Sequence, residues 1–453
     1  MADKESQKAK LAFLSSDFTI SIRDPLWKDI MLSPQFAKLY HLPAVQKLGR
    51  IKQLGPAFHI YPGAVHTRLD HSLGVYHVAR LMLVSLLRSG QGQGLITRKG
   101  MLSFLAAAML HDLGHFPYAH SLKELPLQEH EHLATTIIQN DDSIKEALND
   151  AGCDIYQVCA IIDDTLPGNS LETNLYRAML SGTLDPDKLD YLSRDAFFCG
   201  VPYGVQDASY IIDQLRLAEM RPAVSSHALG SVEHLLFSKY LMYQNVYWHK
   251  GTRAATAMIK KAMLTALRDG AIRPQDLYGM DDEQFFLLPQ RIDFPSLALV
   301  DNVRDNQLLA CRYETGYSED SPLHRTAKRL DTRLECEERL YLALLPEYPD
   351  IKSWEVIVDI PEPISFESDI PIVSDDGTIR PFNTADELFS GPVVDAFART
   401  LRKIRVFAAG PVRGCRNGNQ VDHRLTIRQR GGTSTWTDGP KPHRTATRFH
   451  MND

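Results

Sequence analysis

"AAAMLHDLGHFPYAH", residues 106–120, is the stretch on which the reading of the fold turns. It closes the longer run "RKGMLSFLAAAMLHD", which is apolar nearly all round and is therefore expected to be a buried helix. That run ends abruptly in His111 and Asp112, and two more imidazoles follow at His115 and His120. Imidazole and carboxylate together suit divalent zinc, iron, manganese or nickel. Neighbours on a helix point about 100° apart, so His111 and Asp112 converge on one ion only if the helix stops there. Gly114 and Pro117 supply the stop. A capped helix end with a satisfied histidine explains the same letters, since an imidazolium is favourable near a helix C-terminus.

Two ligands do not make a metal site, so partners are sought on other helices. His66, His71 and His77 lie upstream, and Asp185, Asp187 and Asp190 downstream. "RLDHSLGV" puts Arg68 and His71 three apart, on one helical face. In "DPDKLDYLSRD", Asp187, Asp190, Tyr191 and Arg194 fall at i, i+3, i+4 and i+7. That stripe is either a solvated face or the lining of a cavity. Leu184, Leu189, Leu192 and Phe197 allow the helix to be buried.

The rest of the chain supplies the frame. With 453 residues it is expected to hold one large domain with appendages, or two. An apolar content of 44%, a charged content of 23% and a net charge of -6 describe a soluble globular chain without general attraction to nucleic acid or anionic membrane. Six scattered cysteines with no CxxC pair argue against a zinc knuckle or a disulfide scaffold, and fit a reducing cytoplasm. There is no signal-peptide core and no apolar run of about 18 residues, so no membrane partner is expected.

Residues 1–23 read as a polar leader, with a loop or hairpin around Pro25 and Pro34. From about 24 to 285 the pattern is helical, with "PAVQKLGRIKQL" starting a helix at Pro43. From 286 to 410 the β-branched "SWEVIVDIPEPISFESDIPIV" and "KIRVFAAGPV" read as strands in a smaller α+β region. Residues 411–453 are Gly-, Thr- and Arg-rich and aperiodic, expected to pack poorly. The eleven Lys and Arg against three Asp from 401 onward leave a nucleic-acid arm open but not favoured.

Taken in order, "IKQLG", "YPGAVHTRLDHSLGV", "HDLGHFPYAH", "HE", "DPDKLDYLSRD" and "YWHK" resemble the HD-domain dNTP triphosphohydrolases, a family that includes bacterial dGTP triphosphohydrolase-like enzymes and the vertebrate enzyme with a sterile-alpha-motif domain. The match runs from about Asp24 to Lys260, roughly half the chain. It implies a mainly α fold: an HD-domain helical core with a smaller α+β C-terminal region. It also implies metal-dependent hydrolysis of a dNTP at the α-phosphorus, giving deoxynucleoside and tripolyphosphate.

The resemblance implies His71, His111, Asp112 and Asp187 as ligands of one divalent metal, whether Mn, Mg, Fe, Co, Ni or Zn. His115, His120 and His130 match catalytic histidines, with His132 competing for the third place. Arg68, Lys188 and Lys239 would hold phosphates. Gln53, Leu54, Tyr191, Asp195 and Tyr247 would meet the sugar and base. Homodimers or homotetramers and a nucleotide activator are implied as partners. The chain departs from the family in two places. "DPLWKD" stands where the pattern is DP[IV]HG, and of the activator-site residues only Gln46 matches, beside His41 and Gly49. A P-loop is excluded, because GxxxxGK[ST] is missing. The alternatives are another HD-type phosphohydrolase, such as a nucleotidase or phosphodiesterase, and a non-catalytic nucleotide- or nucleic-acid-binding protein.

Overall fold

A computed structural model describes residues 2–92, 94–364, 366, 370–385, 389 and 391–410. The tail at 411–453, with Cys415 and the possible nucleic-acid arm, lies outside the described residues. Helix α1, Ala2–Ser16, occupies the segment read as a polar leader. It is not merely a leader, because Leu14 and the following Phe18 are buried in the main core. Strands β1, Ile20–Asp24, and β2, Lys28–Leu32, form the expected hairpin, with Ile20 opposite Leu32 and Asp24 opposite Lys28.

Six longer helices position the site: α2, Arg68–Arg88; α3, Arg98–Leu110; α4, His130–Asn140; α5, Pro186–Cys199; α6, Leu229–Met242; and α7, Lys250–Arg268. Helix α2 packs against both α3 and α5. It starts in a capping box, where Thr67 Oγ1 accepts from the Asp70 amide and Asp70 Oδ2 accepts from the Thr67 amide. Leu73, Val75, Tyr76, Val78, Ala79, Met82, Leu83 and Leu86 are buried along its length. Each large side chain among them contributes on the order of 1.5–3 kcal/mol. Helix α3 is buried from Met101 to Leu110, as an all-round apolar helix must be.

Two expected helices are shorter than their apolar spacing suggests. The one starting at Pro43 ends at Gln46 and tightens into a 3₁₀ turn over Lys47–Arg50. "IKQLG" is not helical. Its backbone bonds run across the chain, from the Gln53 amide to the His66 carbonyl and from the Arg68 amide to the Ile51 carbonyl, both at 3.0 Å. The helical run from Glu233 to Gly270 breaks after a π turn at Tyr243–Tyr247, and α7 restarts where His249 caps the Gly251 amide.

The expected strands β6, Val356–Asp359, β7, Pro371–Val373, and β9, Lys403–Ala408, are present. The sequence reading did not resolve β3, Leu215–Ala218, β4, Arg221–Ser225, β5, Ala310–Gly316, or β8, Ile379–Pro381. The order β5-β9-β6 makes one antiparallel sheet, and β3-β4-β7-β8 makes a second. In the second, Val224 pairs in parallel with Ile372. Residues on either side of 285 therefore share a sheet, and Ile372, Phe382 and Phe389 are buried with the helical core. The described cysteines are free thiols. Among the described residues, no helix is long and apolar enough to cross a membrane.

Candidate metal and phosphate site

Helix α3 stops at Leu110, before both Gly114 and Pro117. Gly114 has a different task from ending it. A Cβ on Gly114 would lie 2.0 Å from the His130 carbonyl oxygen and 2.5 Å from the Ala134 amide. The glycine thus lets the first turn of α4 lie directly on the turn that follows His111.

Three side chains converge at this point. His71 comes from the first turn of α2, His111 from the end of α3 and Asp187 from the first turn of α5. One ligand atom from each lies within 4.8 Å of the others. His71 Nε2 is 2.8 Å and His111 Nε2 is 3.9 Å from Asp187 Oδ1. His111 Nδ1 donates to the Ala108 carbonyl at 3.0 Å, so its Nε2 carries the lone pair. That Nε2 is buried and accepts no hydrogen bond. An unsatisfied imidazole nitrogen facing a second imidazole and a carboxylate is a donor set that fits a divalent cation. Asp112, the fourth expected ligand, places Oδ1 3.3 Å from His111 Nε2, but its Oδ2 is held by Arg68 at 2.6 Å.

The electrostatics follow from burial and pairing. Burial works against a charged His71, yet the Asp187 and Asp190 carboxylates raise it to about 10. Burial likewise opposes the Asp112 anion, but Arg68, His111 and His115 hold it well below the usual carboxylate range.

Next to Asp112 sits a cluster of three imidazoles. The ring of His115 stacks on His130 at 4.0 Å and lies 4.7 Å from His120. Burial first, then neighbouring Arg68 and each other, drive His115 and His120 well below the ordinary imidazole value, and His130 to about 2. Orientation separates His130 from His132, since His132 faces Asp163 Oδ2 at 3.4 Å. His130 is the one in the cluster.

The sugar and base candidates form a neighbouring wall. Tyr247, at the end of the π turn, donates to Asp195 Oδ2 at 2.6 Å, and His66 Nε2 meets Asp195 Oδ1 at 2.8 Å. The rings of Tyr191 and Tyr247 meet edge to face at 6.4 Å. Gln53 Oε1 is buried without a hydrogen-bond partner, and Leu54 is half-buried against the core.

The two lysines are engaged elsewhere. Lys188 Nζ reaches Asp185 Oδ2 and the Gly182 carbonyl, each at 2.7 Å. Burial raises Asp185 to about 6, with Lys188 opposing. Lys239 is buried, its ammonium 5.6 Å from the centre of the Phe366 ring.

The stripe on α5 splits in two. Asp187 and Tyr191 face the site, while Asp190 and Arg194 form a fully buried pair behind it. Sequence reasoning put Asp190 on the same face as Asp187 and missed its contact with His71 Nδ1, at 2.8 Å. The signal for it was Gly74, a glycine in the middle of an apolar helix.

Known proteins share parts of this sequence and this fold. Residues 206–409 match the family described as the HD associated region. The chain is 32% identical over 245 residues to the uncharacterized protein YwfO of Bacillus subtilis, covering 54% of this chain and 53% of that one. It is 28% identical over 278 residues to the human deoxynucleoside triphosphate triphosphohydrolase SAMHD1, covering 54% and 44%. The chain spans about half the length of each of these two curated relatives. A crystal structure of a phosphohydrolase from Bacteroides thetaiotaomicron shares the fold, with a TM-score of 0.69 at 22% identity, over 86% of this chain and 100% of that one. In fold and over parts of its sequence the chain is thus similar to HD-domain phosphohydrolases.

Proposed function

We propose that the chain is a metal-dependent dNTP triphosphohydrolase, releasing deoxynucleoside and tripolyphosphate. The observation that carries this reading is one continuous chain of side-chain contacts. It runs from the His71, His111 and Asp187 convergence through Asp112 and Arg68 to the three buried imidazoles. The named activity of the human relative points the same way.

His71, His111, Asp112 and Asp187 would hold one divalent cation. Such a cation supplies Lewis acidity at the α-phosphoryl group. Arg68, oriented by Asp112, offers a guanidinium that suits phosphate oxygens. Burial disfavours the charged forms of His115, His120 and His130, so that cluster is poised to take up a proton when substrate arrives. An arriving triphosphate brings the negative charge that favours proton uptake at an imidazole nitrogen there. Delivery of that proton to the departing 5′-oxygen is general acid catalysis. Tyr247, Tyr191 and Asp195 form the wall for the sugar, and the buried Gln53 Oε1 is an acceptor for a hydroxyl. Lys188 and Lys239 would join the phosphates by leaving their present partners. The same reading includes a dimer or tetramer and nucleotide activation.

The test supplies each dNTP and NTP, singly and in pairs, with Mg, Mn, Fe or Co, and follows products by phosphorus NMR. Tripolyphosphate from dNTPs, lost in Asp187→Ala, supports the reading. Orthophosphate or pyrophosphate in place of tripolyphosphate, or full activity in Asp187→Ala, overturns it.

A further inference from the structure

The carboxylate of Asp190 is fully buried and ligates nothing in the site just described, yet every acceptor position on it is used. Oδ1 accepts from the Trp27 indole Nε1 at 2.5 Å and from Arg194 Nη2 at 2.9 Å. Oδ2 accepts from Arg194 Nε at 2.9 Å and meets His71 Nδ1 at 2.8 Å. Arg194 is anchored in turn by Asp24 Oδ2 at 2.8 Å, and the other Asp24 oxygen caps the amides of Leu26 and Trp27. The β1–β2 hairpin is thereby tied to the first turn of α2 through one carboxylate.

Two features show that the chain is shaped around this contact. Lys28 closes the hairpin turn at φ 68, a left-handed conformation uncommon for a side chain of its size. Gly74 sits one turn beyond His71, and a Cβ there would lie 1.8 Å from Asp190 Oδ1 and 2.6 Å from Arg194 Nη2. A glycine in a helix interior is unfavourable relative to alanine. Here it makes the space that the carboxylate fills.

We propose that Trp27 and Asp190 are positioning residues for the metal site. The indole and guanidinium hold Asp190 as a pure acceptor. His71 therefore presents Nδ1–H to it, which leaves Nε2, on the side of His111 Nε2 and Asp187, as the nitrogen available to a metal once its proton is displaced. The hairpin turn thus sets the tautomer and ring angle of a ligand contributed by another element. This inference rests on the metal reading of His71, His111 and Asp187.

The test measures Mn(II) binding to the full-length chain by calorimetry, alongside triphosphohydrolase rates across Mn(II) concentrations. Trp27→Phe keeps an aromatic ring beside His77, 5.6 Å away in the native chain, and removes the N–H donor together with part of the indole. Loss of an outer-shell partner costs roughly 10–100-fold in metal affinity. Trp27→Phe is expected within that range, with the rate recovering at high Mn(II). Gly74→Ala, which crowds the same Asp190 oxygen, is expected to weaken Mn(II) binding in the same way. Wild-type affinity in Trp27→Phe, while His111→Ala abolishes binding, overturns the positioning role alone. Mn(II) binding that His111→Ala leaves unchanged overturns the metal reading beneath it.

Discussion

Glu124 offers a stability prediction whose size can be worked out. It lies on the loop between His120 and His130, and its carboxylate receives Lys260 Nζ at 2.6 Å and Arg333 at 2.9 and 2.8 Å. The segment that joins two of the three clustered histidines is therefore clamped to α7 and to the C-terminal region. Burial opposes the charged form, but Arg333 and Lys260 hold the carboxyl down to about 2. Against an unfolded value near 4.5, that difference corresponds to about 3 kcal/mol of stability. Because the folded value is the lower one, this contribution is complete above the unfolded value and is lost as pH falls through 4.5 toward 2. By the same linkage roughly 1.4 kcal/mol remains at pH 3. Glu124→Gln removes the titrating group and leaves two buried cations unpaired, a cost that does not vary over this range. Urea denaturation of wild type and variant at several pH values measures the difference. It is expected to be at least about 3 kcal/mol at pH 7 and to narrow by roughly half of that at pH 3. A gap that is equal at both pH values, or absent at pH 7, refutes the clamp.

Three further outcomes follow from the geometry. His130→Ala is expected to lower the rate by about 10²–10⁴-fold, the usual worth of a positioned acid or base, while His132→Ala changes it little; equal losses in steady-state assays would show the wrong histidine was chosen. Tyr247→Ala opens the wall beside Asp195 and is expected to raise NTP turnover relative to dNTP by roughly tenfold, as for a lost steric or hydrogen-bond contact in a pocket, read as a ratio of kcat/KM values. Gly114→Ala forces a Cβ against the His130 carbonyl and is expected to cost about 1–3 kcal/mol or more in denaturation, because the obstacle is backbone.

Much of the site was legible in order along the chain. Arg68 and His71 are one helical turn apart, and a capping box fixes where that turn begins, so their shared face follows from local rules. His111 and Asp112 announce themselves by interrupting an apolar helix that has no other reason to turn polar. The relation between segments was not legible. "HEH" offers two histidines, and only the packing of α4 on Gly114 selects His130. Lys188 reads as a phosphate ligand, yet its helix is capped by Asp185, and the same carboxylate takes its ammonium.

By itself, then, the sequence determined the helical core, the helix starts, the buried α3 and the set of residue types that meet. These depend on spacing, capping and apolar periodicity, which act over a few residues. Tertiary structure alone decided that the hairpin at Trp27 supports His71, that β4 pairs with β7 across 147 intervening positions between Val224 and Ile372, and that the Glu124 loop is clamped by Arg333. Each of those contacts joins residues far apart in the chain. Their partners are chosen by steric fit and by the need to satisfy buried charge, and no local pattern encodes either.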